Sequence, residues 1–149
     1  MGLFGQSESN FDRERRRLVI PSKFRYLLGD KCVITKGFNR LLIFRPDDWE
    51  NMCHKIEEDI QDEVDRELIL HRYYANAEMV NIDRQNRIVI PERLTAQLEL
   101  GQEVIIVGYR DRMEVWRKEA WEEFDKKISR RLDEEYKEKL ANRGISLEF

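Results

Sequence analysis

Two stretches of this 149-residue chain set an aspartate, clustered arginines, an apolar triplet and a proline in the same order. They are Phe11-Asp12-Arg13-Glu14-Arg15-Arg16-Arg17-Leu18-Val19-Ile20-Pro21 and Ile82-Asp83-Arg84-Gln85-Asn86-Arg87-Ile88-Val89-Ile90-Pro91. In the second, Asp83 and Arg87 flank a tight turn, where a carboxylate can accept from backbone N–H groups and orient a guanidinium. An arginine fixed on such a rim, with Arg84 beside it, presents parallel donors. That geometry suits a phosphate or the guanine edge in a DNA major groove, which admits a two-stranded ribbon as well as a helix. The plainer alternative is that aspartate and arginine only staple a hairpin. Recurrence of the pattern, with Arg13, Arg15, Arg16 and Arg17 in the first copy, shifts the balance toward binding.

No other set of residues offers comparably specific chemistry. Cys32 and Cys53 are isolated, without metal-site spacing or a disulfide framework, and read as inert buried thiols. His54 and His71 are single and read as helix-surface or packing residues. A glycine-rich phosphate loop and a nucleophile with an adjacent base are both missing, so an enzyme is disfavoured and neither cofactor nor metal is expected. No run approaches the roughly 20 apolar residues that a membrane span needs, and no basic-flanked signal peptide opens the chain. The expectation is a cytosolic protein.

Charge is distributed unevenly beneath a net of −3. Residues 47–67 carry ten acids against Lys55 and Arg66, a local net of −8, whereas residues 10–26 carry a local net of +4. Basic charge therefore sits on the repeated motif, and the acidic stretch would discourage nonspecific sticking to polyanions elsewhere.

The similarity continues beyond each proline. Cys32-Val33-Ile34 answers Val104-Ile105-Ile106-Val107, Gly37-Phe38 answers Gly108-Tyr109, and Trp49 and Ile56 answer Trp121 and Ile128, at offsets of 70 to 72 residues. Internal repetition of this kind marks a duplicated structural unit. The expected organisation is a first unit over 5–60, a connecting helix over 61–75, a second unit over 76–132 and a helical tail over 133–149. Units of about 50 residues bury too little surface to be stable alone, so the two should interlock around one core.

Within each unit the pattern predicts a hairpin, a short helix, a second hairpin and a longer helix. Val80 to Asp83 and Arg87 to Ile90 read as strands around a turn in which Asn86 tolerates a left-handed backbone. Pro91 opens a helix carrying Leu94 and Leu98. Val104 to Val107 reads as a buried strand ended by Gly108, and Met113 and Val115 should share a face of its partner. Asp47-Asp48-Trp49-Glu50 has a capping-box pattern for the first long helix. The second long helix aligns Trp121, Phe124, Ile128, Leu132, Tyr136 and Leu140. Residues 1–7 and the end after Asn142 are expected to fray.

Taken together, the duplicated Asp-x-x-x-Arg pattern, apolar triplet and proline resemble the MraZ family, bacterial transcription factors built from two tandem AbrB-like swapped-hairpin units. The resemblance covers nearly the whole chain. It implies an α+β fold in which duplicated β-hairpin units form a double-psi, swapped-hairpin barrel with flanking helices. It also implies a transcriptional regulator, usually a repressor, of the division and cell-wall gene cluster that includes its own gene, working in the cytoplasm on the nucleoid. Its partners would be double-stranded promoter DNA with direct repeats and further copies of itself in a ring-shaped homo-oligomer, with no membrane and no small-molecule substrate. The DNA-binding residues would be Arg13, Arg15, Arg16, Arg17, Arg84 and Arg87, with Asp12 and Asp83 orienting the loops.

The first copy departs from the pattern. Pro21 lies nine residues after Asp12 but Pro91 eight after Asp83, so the first turn holds one extra residue. Counting from the aspartate selects Arg16 and counting back from the proline selects Arg17; Arg17 is expected in the strand, with Arg15 and Arg16 bulging toward phosphates. A rival reading is a ring-forming interaction or scaffold module whose arginine loops serve protein partners, with little DNA binding and weak salt dependence.

Overall fold

The computed structural model describes residues 2–146. Residues up to Arg117 form one compact unit and those from Lys118 onward a second. The first holds strands β1 (Gln6–Asp12), β2 (Arg17–Val19), β3 (Lys31–Lys36), β4 (Leu41–Phe44), β5 (Glu78–Asn81), β6 (Arg87–Val89), β7 (Glu103–Tyr109) and β8 (Arg112–Arg117). Its helices are α1 (Ser22–Arg25), α2 (Pro46–Asp59), α3 (Glu63–Asn76) and α4 (Glu92–Leu98).

The strands form one antiparallel sheet in the order β5-β3-β4-β8-β7-β1-β2-β6, and the Asp83–Asn86 turn joins β6 back to β5, so the barrel is nearly closed. Strand exchange between the halves builds it. β1 runs along β7 from Gln6↔Val107 to Asn10↔Glu103, and β5 runs along β3 from Lys31↔Asn81 to Ile34↔Glu78. Each half therefore completes the other's sheet, the arrangement expected of duplicated swapped hairpins. β2 and β6, one from each half, pair through Arg17↔Val89, Leu18↔Ile88 and Val19↔Arg87.

Period-two patterning decides which way each strand faces. Leu18, Ile20, Ile88 and Ile90 point into the barrel with at most 1% exposure, joining Phe11, Phe24 and Leu94. Burying such side chains contributes about 1.5–3 kcal/mol each. β4 is apolar at every position because both faces are covered. Leu41 and Ile43 fill the barrel, while Leu42 and Phe44 lie with Val33 in a second cluster under Trp49 and Cys53 of α2. Thr35, also buried, donates its hydroxyl to the Tyr73 carbonyl at 2.9 Å and ties α3 to β3.

Several expectations are corrected. Most of the N-terminal segment does not fray: Leu3 is 3% exposed and bridges to Arg110, and β1 begins at Gln6. That pairing partner lies a hundred residues away in sequence and leaves no local trace. Gly108 does not end its strand, since β7 continues to Tyr109. Glycine is needed there for space: a Cβ would lie 2.6 Å from the Phe4 backbone nitrogen. Helix α2 opens with Pro46 after Arg45, without a side-chain cap, and Asp48 instead receives Arg45.

The second unit comprises α5 (Lys118–Arg131), a π-helical segment (Leu132–Tyr136) and α6 (Lys137–Ala141), so the expected apolar stripe is interrupted by a change of helical pitch. Of the end expected to fray after Asn142, residues 147–149 lie outside the described residues. No described helix is long and apolar enough to cross a membrane. Cys32 and Cys53 are buried and unpaired. His54 and His71 are exposed on their helices beside Glu57 and Glu67.

Candidate nucleic-acid interface

The same alternation that drives Leu18 and Ile88 inward turns Arg17, Val19, Arg87 and Val89 outward. In the β2–β6 register Arg17 faces Val89 and Arg87 faces Val19. The two arginines are thus diagonal neighbours, with backbones about 7–8 Å apart. Both line one open groove with Asn10, Asp12, Arg13, Val19 and Gln102. The ribbon brings a guanidinium from each half onto one face.

The second turn is held tightly. Asp83 Oδ1 accepts the backbone N–H groups of Gln85 at 2.8 Å and Arg87 at 2.9 Å, and its Oδ2 accepts Arg87 Nε at 2.9 Å. Donation from the Arg87 backbone, helped by its guanidinium and by Gln85, holds the Asp83 carboxyl below the usual aspartate value. Only Nε of Arg87 is used, so the terminal nitrogens have no protein acceptor among the described residues. Those nitrogens form the fork that recognises planar acceptors. Asn86, at φ 61°, makes the left-handed step before β6.

The first turn solves the same problem differently. Asp12 Oδ1 accepts the N–H groups of Glu14 and Arg15, each at 3.1 Å, and Oδ2 takes the Arg15 guanidinium at 3.3 Å. Donation from the Arg15 backbone is the main influence lowering the Asp12 pKa. Its partner is therefore neither Arg16 nor Arg17. Arg16 occupies the left-handed position, at φ 53°, that Asn86 fills in the second copy. Matching cross-bonds confirm the equivalence: Ile20 N–H donates to Asn86 O at 2.7 Å, and Ile90 N–H to Arg16 O at 2.8 Å. Arg17 thereby takes the strand place corresponding to Arg87, and the extra residue lies between Asp12 and Arg16.

Of the residues expected to bulge toward phosphates, Arg15 is turned onto Asp12 and Arg16 reaches Glu92 at 3.7 Å. Both pairs are largely exposed, and such pairs contribute only about 0–1 kcal/mol. Arg13 and Arg84 are exposed at the two turns. One residue went unnoticed in the sequence: Arg25 of α1 donates Nε to Asn86 Oδ1 at 2.9 Å. Its signal was a break in the repeat, since the second half has Thr95 in the corresponding place.

A nearly closed barrel of exchanged hairpins, with an arginine ribbon on its surface, defines the swapped-hairpin class. Comparison with known proteins narrows the class. A family model described as "MraZ protein, putative antitoxin-like" matches residues 3–70 and 73–143. A protein of Caldanaerobacter subterraneus subsp. tengcongensis named "Transcriptional regulator MraZ" is 36% identical over 144 residues, covering 96% of this chain and 99% of the relative. Proteins of the same name from Thermoanaerobacter pseudethanolicus and Acetivibrio thermocellus are 35% and 34% identical, covering 89% and 96% of this chain and 97% and 99% of their own lengths. The chain belongs to the MraZ family.

Proposed function

We propose that this chain is a DNA-binding transcriptional regulator that reads promoter DNA with the outer face of the β2–β6 ribbon. The observation that carries this reading is the convergence of Arg17 and Arg87 on one face, with the Arg87 fork oriented by Asp83 and its outer nitrogens unused. Arg87 would make base-edge contacts, and Arg13, Arg15, Arg16, Arg17 and Arg84 would engage phosphates or neighbouring bases. The names of the relatives support the regulatory role.

In its finer form, the chain is a repressor of the division and cell-wall gene cluster containing its own gene, acting on the nucleoid as a ring of identical subunits over direct repeats. Linking several weak sites gains about 10²–10⁴ in affinity by making later contacts intramolecular. Val64 and Leu68 on α3, 67% and 66% exposed, offer apolar area that another copy could cover. A mobility-shift titration against DNA from upstream of its own gene, with scrambled competitor at two salt concentrations, tests the reading. Specific, salt-sensitive retention supports it. Equal binding to both DNAs would favour a ring-forming interaction module instead. An obligate monomer binding as tightly and selectively as the wild type would overturn the requirement for assembly.

A further inference from the structure

The geometry points to Arg25 as a positioning residue that sets the specificity of the second turn from the opposite half of the chain. The inference rests on the proposed reading of DNA by Arg87, and concerns what holds Arg87 ready.

Arg25 ends helix α1 of the first half, yet its guanidinium spans both halves. Nη1 donates to the carbonyls of Leu28 at 3.0 Å and Gly29 at 3.2 Å, and Nε donates to Asn86 Oδ1 at 2.9 Å. Asn86 is further held through its backbone, its N–H donating to Asp83 O at 3.0 Å and its carbonyl accepting from Ile20 at 2.7 Å. The residue immediately before Arg87 is thus fixed by side chain, N–H and carbonyl together. A left-handed residue constrained in this way leaves the chain little freedom in how it enters β6.

The first turn lacks this clamp. Thr95, in the place corresponding to Arg25, donates its hydroxyl to Pro91 O at 3.2 Å within its own helix. Arg16, in the place of Asn86, shares the carbonyl bond, accepting from Ile90 N–H at 2.8 Å, but its side chain has only the 3.7 Å ion pair to Glu92, whose side chain is 84% exposed. One chain therefore carries a rigid turn and an adaptable one. A side chain ordered before contact loses less freedom on binding, and its gain is confined to DNA that matches its geometry. The second turn discriminates, and the first supplies charge that tolerates many sequences.

The test compares affinities for own-promoter DNA and scrambled DNA of equal length at one salt concentration, for the full chain and the variants R25Q, N86G, N86D and R25Q/N86G. Glycine and aspartate both tolerate the left-handed backbone of position 86, so those two variants alter the side-chain acceptor without straining the turn. R25Q and N86G should each reduce the ratio of specific to nonspecific affinity about tenfold, the size expected for losing one charge-assisted hydrogen bond. The double variant should lose no more than either single one, because both remove the same interaction. N86D, which keeps an acceptor for Arg25, should lower both affinities by charge repulsion while holding their ratio within about twofold.

Unchanged ratios in R25Q and N86G would overturn the inference, as would additive losses, which would mean that Arg25 touches DNA itself. If melting shows R25Q to be unfolded, N86G against N86D decides the matter alone. Equal affinity of the unsubstituted protein for both DNAs would refute the regulator reading itself, an outcome distinct from unchanged ratios in a protein that does discriminate.

Discussion

Replacing Arg87 by glutamine keeps most of the side-chain length and deletes the guanidinium, which makes R87Q the sharpest probe of the reading ribbon. Six arginines stand on or beside the two turns; Arg15 and Arg16 are paired with Asp12 and Glu92, and Arg87 with Asp83 through Nε alone. If the Arg15 and Arg16 pairs persist on DNA and Arg87 reads a base edge, Arg13, Arg17 and Arg84 remain for phosphates. Three phosphate contacts per chain would give a slope of log affinity against log salt near −2.7, and doubling the salt would weaken binding about 6-fold. Release of both exposed pairs would steepen the slope to about −4.5.

If Arg87 reads a base edge, R87Q should cost about 1–3 kcal/mol at the promoter, or roughly 5- to 150-fold in affinity. Binding to scrambled DNA and the salt slope should barely change. R84Q, which removes a phosphate contact, should weaken both DNAs together and flatten the slope by about 0.9. Fluorescence-anisotropy titrations of promoter and scrambled duplexes at four or more salt concentrations measure both quantities. Equal weakening of the two DNAs by R87Q, with a slope shallower by about one, would make Arg87 a phosphate contact and refute the division of roles.

Other perturbations test the scaffold that presents this ribbon. Glu114 is 5% exposed and accepts from Arg40 Nε at 3.0 Å, Arg112 Nη2 at 3.3 Å and Trp116 Nε1 at 3.1 Å. E114A should therefore cost about 1–3 kcal/mol by removing an acceptor shared by two partly exposed guanidiniums and an indole N–H, read as a lowered urea midpoint. G108A should destabilise by about 1–3 kcal/mol, because its Cβ would meet backbone, and G37A should cost a similar amount, because its Cβ would lie 2.8 Å from Cγ of the buried Leu42. The same denaturation experiment measures both. Asp83 has a folded pKa below its unfolded value, so its contribution to stability is present above the ordinary aspartate pKa and disappears as pH falls through the folded one. Carboxyl-carbon NMR should place its midpoint below that of an ordinary aspartate, and D83N should remove this share of the acid sensitivity. Burial pushes the Cys32 thiol up to about 12, so a thiol reagent near pH 8 should modify it only as fast as the protein opens.

Much of the molecule can be read along the chain because its determinants are local. The two arginine turns, the alternation that buries Leu18 and Ile20 beneath Arg17 and Val19, and the proline-led helix carrying Leu94 all follow from side-chain periodicity and turn chemistry. The duplicated order of these pieces was enough to expect two interlocked units, and the resemblance to the MraZ family added the barrel of exchanged hairpins. What could not be read was the choice of long-range partners. A lone aspartate with several nearby arginines does not say which one it will hold, and the extra residue in the first turn hands Asp12 to Arg15.

The ambiguity between Arg16 and Arg17 is settled by packing across the ribbon. A shift of one residue would turn Leu18 out of the core and strand the cross-bonds that tie Ile20 to Asn86 and Ile90 to Arg16. The pairing of Leu3 with Arg110 and the reach of Arg25 to Asn86 likewise join residues far apart in sequence. The sequence by itself therefore determined the repeated units and the chemistry at their turns. Tertiary structure alone decided which arginine each turn holds rigid, because that depends on strand register and on groups supplied by the other half of the chain.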